Sequence, residues 1–407
     1  MTVPGAATSD VVVVGAGVAG CACAYYLSRA GLKVTVLEQH AIASGASTHA
    51  TGSFSLLSTD FNSPAYLRLG VESYRLTRDL IPELEESSGV ETLYQRRPAL
   101  RLALDEDEER LIRSTLEWQA QQLTLEWVTG ESILAEDRRV NPEARGGVLE
   151  PEGAQIDSGR FTLALAMGAE RRGAEIVLRR ATGLVTEGDR LTGITHAGGR
   201  VSAPAVVLAM GPWAAEAQTW GDFRIPVTML KGERLMLRLP GPPLPWLIST
   251  PRRGHMISRQ DGLLSVGSTA GRDLDVKSRY LVSESDPVEE QSRPTEGALV
   301  ELIERASDIL PDAIQEAVLV EQLAGVRPLT PDRMAMIGPI PGLRGAYLAT
   351  GHGTKGIHLA AVTGFAITRM LLDAVESQPA EYASVDPARL AIAAPPFAAD
   401  DRSLPDD

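Results

Sequence analysis

Few residues in this 407-residue chain are suited to cross-linking it or holding a metal. It has two cysteines, Cys21 and Cys23. They lie two positions apart in a segment that reads as helix, where their side chains diverge and a disulfide would be strained. The histidines (His40, His49, His196, His255, His352, His358) are scattered, with no HExxH or Cys/His ligand spacing, so no metal site is expected. Aromatics are scarce at 5%. No run of about 18 apolar residues occurs, which excludes a spanning helix. Met1 to Asp10 has neither a basic head nor an apolar core, so export by a signal peptide is not expected and the cytoplasm is the expected compartment. Positive charge is also short: 39 Lys+Arg against 53 Asp+Glu give a net charge of −14. With no basic run to neutralise a phosphate backbone, nucleic acid is excluded as a partner.

Glycine (38) and proline (26) are plentiful, implying tight turns and close backbone approaches. The length suits two or three domains. Asp10 to Glu38 carries the strongest pattern. Val11–Val14 is a β-branched run, as in a strand buried on both faces of a parallel sheet. It feeds Gly15-Ala16-Gly17-Val18-Ala19-Gly20, then a small-residue helix through Cys21–Ala30 ended by Gly31, then a strand Lys33–Leu37 and Glu38. This is the βαβ fingerprint of dinucleotide binding. Gly15 permits the turn, Gly17 lets backbone approach a pyrophosphate, and Gly20 lets helix and strand pack closely. The helix N-terminus, opening at Val18 and Ala19, faces the phosphates, and Glu38 would accept from ribose hydroxyls. The fingerprint alone suits NAD or FAD.

The next segment chooses. Ser44-Gly45-Ala46-Ser47-Thr48-His49-Ala50-Thr51-Gly52-Ser53 is a small, hydroxyl-rich loop that resembles the FAD-binding loop of the D-amino-acid oxidase superfamily, in its glycine oxidase, sarcosine oxidase and D-amino-acid dehydrogenase branch. Two later blocks resemble the C-terminal flavin motifs of glycine oxidases: Ala324–Asp332 with Ile337-Gly338-Pro339, and Ala349-Thr350-Gly351-His352-Gly353-Thr354-Lys355-Gly356-Ile357. Three motifs in order cover roughly residues 8 to 373. The resemblance implies an α/β, two-domain flavoprotein: a Rossmann-like FAD-binding domain (1–55, 150–220 and 325–375), a mixed β-sheet substrate domain (56–149 and 221–324), and a C-terminal arm (376–407). It implies FAD contacts at Gly15, Gly17, Val18, Ala19, Gly20, Glu38 and Gln39. Further contacts follow at Ala46, Ser47, His49, Thr51, Gly52, Ser53, Thr182 and Gly211, and along Gly351, His352, Gly353, Thr354, Lys355, Gly356 and Ile357.

The intervening chain reads as a helix over Tyr66–Glu86, a strand pair around Leu93–Leu104, and a helix opening in Asp105–Glu109. After Ala154–Asp157 come a helix over Phe161–Arg172, a strand Ala174–Leu178 and a buried strand at Val206–Ala209. Strands over Pro226–Leu239 and Leu263–Thr269 and a helix over Thr295–Leu310 follow.

A flavin oxidising a C–N bond takes the hydride itself, so the protein's task is to bind and aim. Arg327 aligns with the substrate-binding arginine of glycine oxidases, and its planar fork suits a carboxylate; a structural ion pair is the alternative. Lys355 matches a carboxylate-binding lysine of sarcosine oxidases, or would stabilise reduced flavin at its N1–C2 edge. His255 stands where glycine oxidases have a substrate-facing tyrosine, and imidazole titrates near neutrality. Ala270 replaces a bulkier side chain. His49 is similar to the histidine that binds FAD covalently in dimethylglycine dehydrogenases, although non-covalent FAD is the expectation. The cysteine linkage of monomeric sarcosine oxidases is excluded, since no cysteine lies near Arg327.

The expected reaction is oxidation of a glycine, D-, N-alkyl or cyclic amino acid to an imine, hydrolysed to keto acid and amine. The acceptor is oxygen for an oxidase, or a quinone or carrier protein for a dehydrogenase. A 2-hydroxy-acid-oxidising flavoenzyme, a redox-silent flavin-binding protein and a nicotinamide dehydrogenase are the alternatives, and oligomeric state stays open.

Overall fold

The computed structural model describes residues 7–57, 61–268, 292–374 and 377–391. Ala270 and most of the expected C-terminal arm lie outside the described residues.

Two large sheets organise the chain. The first has six strands in the spatial order Met336–Pro339, Ala346–Thr350, Ala205–Leu208, Val11–Val14, Val34–Glu38 and Glu175–Leu178. All neighbours are parallel except the antiparallel edge strand Met336–Pro339. Val11–Val14 is buried throughout because each face is covered. Val11 and Val13 pack with the helices Val18–Arg29, Ser158–Glu170 and Gly356–Leu372. Val12 and Val14 pack with Leu191, Ile194 and Val201 of a small sheet on the other side. The result is three layers around one parallel sheet.

The second sheet has eight strands, in the order Val318–Leu329, Thr228–Arg238, Leu264–Gly267, His255–Ser258, Leu247–Ser249, Ala99–Ala103, Gly146–Glu150 and Glu126–Thr129. Leu247–Ser249 and Ala99–Ala103 run parallel and the other pairs antiparallel, which is the mixed sheet expected. Val318–Leu329 runs through the expected domain boundary at residue 325, so one strand carries the chain from one sheet toward the other.

The first helix opens at Val18, inside the glycine motif, and Gly31 adopts φ +86 just past its end. The long helix spans Pro64–Ser88, entered through Ser63, whose hydroxyl accepts from Tyr66 N at 3.3 Å. The acidic run does start a helix: Asp105 caps Glu106–Gln119 by accepting from Glu108 N at 2.8 Å. One expectation needs correction. Gln95–Arg96 and Ala99–Ala103 do not pair with each other. Gln95–Arg96 pairs with Ala154–Gln155, and Ala99–Ala103 joins the eight-stranded sheet. Only Arg97 and Pro98 separate them, with no glycine or asparagine to supply the positive φ of a two-residue hairpin, so the chain continues extended.

Helix Gly356–Leu372 crosses the first helix at Gly364, where an added Cβ would lie 2.5 Å from the Ala22 carbonyl oxygen. Gly364→Ala should therefore destabilise the fold by about 1–3 kcal/mol through overpacking, read from the midpoint of denaturant unfolding.

Candidate functional site

The turn between Val14 and Val18 is built by backbone contact. Gly15 adopts φ +102, and a Cβ there would meet the Ala209 carbonyl oxygen at 2.5 Å. A Cβ on Gly20 would sit 1.9 Å from the Gly15 carbonyl oxygen. Gly17 is open on its outer side, with only Ser47 Oγ near, at 3.4 Å. The buried Glu38 carboxylate accepts from Ala16 N (2.8 Å) and His40 N (2.7 Å), which fixes it beside the turn. Val18 N donates to Ser47 Oγ at 2.9 Å and so ties the helix N-terminus to the following loop.

That loop contains the short helix Ala46–His49 and is pinned by its own backbone. Gly52 has φ +78, and a Cβ on it would lie 1.9 Å from the Ile156 carbonyl oxygen. Ile156 N donates to Gly52 O (2.9 Å) and Phe54 N to Ala154 O (2.7 Å). Next, the buried Glu150 accepts from Ser55 Oγ (2.9 Å) and Leu56 N (3.1 Å). Its own burial pushes the carboxyl up to about 7. The His49 ring lies against Gly325, where an added Cβ would come within 2.7 Å of His49 Cβ. His49 Nδ1 has no hydrogen-bond partner among the described residues. Burial lowers the imidazole's affinity for a proton, and nearby Arg234 adds to this.

The C-terminal loop closes the cradle. Thr350 Oγ1 donates to Gly211 O at 2.8 Å, joining two loops at the ends of adjacent parallel strands. Buried His352 contacts Thr363 Oγ1 through Nε2 at 3.0 Å, and that hydroxyl already donates to Leu359 O at 2.7 Å. His352 Nε2 is therefore the donor, and the ring is neutral, its pKa lowered to about 4 by burial. Lys355 is buried, its Nζ 5.3 Å from the centre of the Phe61 ring.

On the eight-stranded sheet, Gly232 makes room for Arg327. An added Cβ would stand 2.6 Å from Arg327 Cζ. Arg327 Nη2 donates to Ser268 Oγ at 2.8 Å. His255 pairs in register with Gly267, whose added Cβ would come 3.2 Å from His255 Nε2 and from Thr51 Cγ2.

One continuous cleft collects these features. It takes Gly15, Gly17, Val18, Ala19, Glu38 and Gln39, the loop residues Ala46, Ser47, His49, Thr51, Gly52 and Ser53, and Gly211. His352 through Ile357 line it too, together with His255 and Arg327. Gly20 and Gly351 lie behind the lining as turn and packing residues. Thr182 is a correction. It stands on the strand Ala181–Glu187, its side chain turned outward to donate to Thr195 Oγ1 at 3.1 Å, and the inward neighbour Ala181 lines the cleft instead. Sequence reasoning missed Arg101, Ser249, Thr250 and Gly232, which line the same space but carry no local motif. Trp213 also lines it, its ring beside Gly45 in the turn that follows the Ala205–Leu208 strand.

A glycine turn at a helix N-terminus, a buried carboxylate beside it, two small-residue loops and an open floor fit an extended dinucleotide joined to a flat ring system. Residues 10–370 match the family described as FAD dependent oxidoreductase, DAO, and the chain belongs to that family. Within it the chain is similar to the glycine oxidase of Geobacillus kaustophilus, at 28% identity over 89% of this chain and 92% of that one. It is also similar to the glycine oxidase of Pseudomonas putida, at 29% identity over 92% and 98%. The crystal structure of the G. kaustophilus glycine oxidase matches with a TM-score of 0.83 and 26% identity, covering 93% of this chain and 98% of that one. The protein is thus a two-domain FAD-dependent oxidoreductase of that family. No helix among the described residues is long and apolar enough to cross a membrane.

Because the folded pKa of His352 is depressed, the unfolded chain binds its proton first as pH falls. Stability contributed by the neutral ring is complete above about pH 6.5 and lost toward pH 4. Relative to His352→Asn, the wild-type protein should lose on the order of 3 kcal/mol across that window. Denaturant unfolding at a series of pH values measures it, and parallel pH profiles for the two proteins would refute it.

Proposed function

We propose that Arg327 anchors the carboxylate of a small amino acid over the sheet floor, with its amine-bearing carbon turned toward the flavin. The supporting observation is the seat of Arg327: its guanidinium lies over Gly232, is oriented by Ser268, and faces a cleft whose opposite wall is the glycine-rich cradle. In this reading Gly15–Ala19 and the helix N-terminus hold the pyrophosphate, Glu38 the ribose, and the Ala46–Ser53 and His352–Ile357 loops the ring system. FAD, when bound, supplies the two-electron acceptor. The substrate carbon gives up a hydride and the nitrogen a proton, leaving C=N. Water then adds and releases keto acid and amine.

Arg327 and Lys355 have a second effect. Fixed positive charge near the amine disfavours its ammonium form, so the substrate binds with the lone pair that the oxidation requires. His255, between the floor strands, is placed to take that proton or to meet a carboxylate. FAD is held without a covalent bond in this reading, since His49 packs its ring on the Gly325 backbone rather than projecting it freely. Acid precipitation should leave a yellow supernatant, whereas flavin in the pellet would make the bond covalent. Oxygen or another acceptor reoxidises the enzyme, and the cytoplasm is the proposed compartment, in keeping with two buried free cysteines.

Anaerobic bleaching of the flavin by glycine, N-methylglycine and D- and L-amino acids tests the reading. Bleaching by lactate and by no amine would overturn it. Arg327→Ala should raise KM for a carboxylate substrate roughly 10- to 100-fold, the worth of a charge-assisted hydrogen-bond pair. An unchanged KM would remove Arg327 from the site.

A further inference from the structure

Behind the cleft wall is a buried carboxylate. Glu150 ends the strand Gly146–Glu150 of the eight-stranded sheet and stands outside the cleft lining. Its oxygens hold residues 55–57, which follow the 44–53 loop and belong to neither large sheet. A segment without a ladder has to satisfy its main chain by other means. Here three side chains from three elements do so. Glu150 accepts from Ser55 Oγ at 2.9 Å and from Leu56 N at 3.1 Å. Leu57 N donates to Ser55 Oγ at 3.2 Å, which leaves the hydroxyl proton of Ser55 for Glu150. The carbonyls of the same segment take the other two. His358 Nε2 donates to Ser55 O at 3.0 Å, and Arg101 Nη1 donates to Leu57 O at 3.3 Å. Ser55, Leu57, Arg101 and His358 all line the cleft.

The grip on this segment is sensitive to charge. Burial pushes the Glu150 carboxyl up to about 7, and the charge of Glu152 acts in the same direction. The other titratable and charged groups around it are Tyr74 of Pro64–Ser88, Arg101 of Ala99–Ala103 and His358 of Gly356–Leu372. As a carboxylate, Glu150 offers acceptors only, which match the Ser55 hydroxyl and the Leu56 N–H. Protonation turns one oxygen into a donor that faces these donors, so the hold is full above about pH 7 and weakens below it.

We propose that Glu150 is a positioning residue for the substrate end of the cleft. It fixes the Ser55–Leu57 wall, and through the two carbonyls of that wall it sets the directions of His358 and Arg101. The inference rests on the reading of the cleft as the site of a carboxylate-bearing amine. It gives the sheet strand Gly146–Glu150, which has no cofactor motif, a part in substrate affinity.

The holoenzyme tests it with propionate, an unreactive carboxylate with no group that titrates near neutrality, its binding read from flavin absorbance between about pH 6 and pH 8.5. Wild-type affinity should rise about fivefold with pH, the worth of one hydrogen bond, through a midpoint near 7. Glu150→Gln puts a permanent donor where protonation puts one, so it should keep the weak, low-pH affinity throughout. In anaerobic flavin reduction it should raise KM for glycine about fivefold and leave the rate at saturation within about twofold. Ser55→Ala removes a hydroxyl that favours the charged form and should move the midpoint upward. A merely structural role would lower the unfolding midpoint of both variants and leave the pH profile in place. A flat wild-type profile, or one that both variants leave unmoved, would overturn the inference while reduction by amines kept the C–N reading intact. Flavin that no amine reduces and propionate does not perturb would overturn that reading, and the inference with it. The wild-type and Ser55→Ala profiles decide even if Glu150→Gln fails to fold.

Discussion

The whole site depends on how closely the first helix approaches the turn that feeds it. Positions 15, 20 and 209 meet backbone to backbone: a single methyl at Gly20 would fall 1.9 Å from the Gly15 carbonyl oxygen. That contact sets the helix N-terminus at the carboxyl ends of the parallel strands, where unpaired N–H groups and the helix dipole favour a phosphate. Its consequences propagate by hydrogen bonds. Ala16 N reaches Glu38 and Val18 N reaches Ser47, so the Glu38 carboxylate and the 44–53 loop are positioned by the same turn. A larger residue at either glycine would shift all three together.

The net charge of −14 would, taken alone, make this protein a poor host for an anion. Distance and dielectric reverse that. Charges on the outer surface act through water and are screened beyond about 10 Å at moderate salt. A cation about 4 Å from a carboxylate in a partly dry cleft contributes on the order of 4 kcal/mol. Arg327, Lys355 and Arg101 are within the cleft, whereas the acidic run Asp105–Glu109 is engaged in helix capping and arginine pairs. Local arrangement outweighs the total.

Much of this was legible in the residues. Features written in consecutive positions came through: the βαβ unit, the loop at 44–53, the glycine-rich loop at 351–357, the helix start at Asp105 and the helix end at Gly31. Features made by pairing across the chain did not. Arg101 enters the site only because Ala99–Ala103 lies parallel to Leu247–Ser249, an adjacency that neither segment announces. Ala181 lines the cleft and Thr182 does not, a difference set by the local pairing of their strand rather than by composition. Gly232 reads as an unremarkable strand glycine until Arg327, ninety-five positions later in sequence, is seen lying over it.

Two floor glycines join the cofactor-side loop to the eight-stranded sheet, and a third seats an arginine within that sheet. Gly325 receives the His49 ring from the cofactor loop, Gly267 sits against Thr51 of the same loop, and Gly232 receives Arg327 from the neighbouring strand. At each point a side chain from one element meets bare backbone of another, so the separation between cradle and floor is fixed by main-chain positions that vary little. Arg234 reinforces the seam, its Nη2 donating to Thr48 O at 3.4 Å. The gap between the two sheets is then a property of the folded core rather than of surface loops. A substrate held from the floor is presented to the cradle at a height that its own binding groups do not have to set.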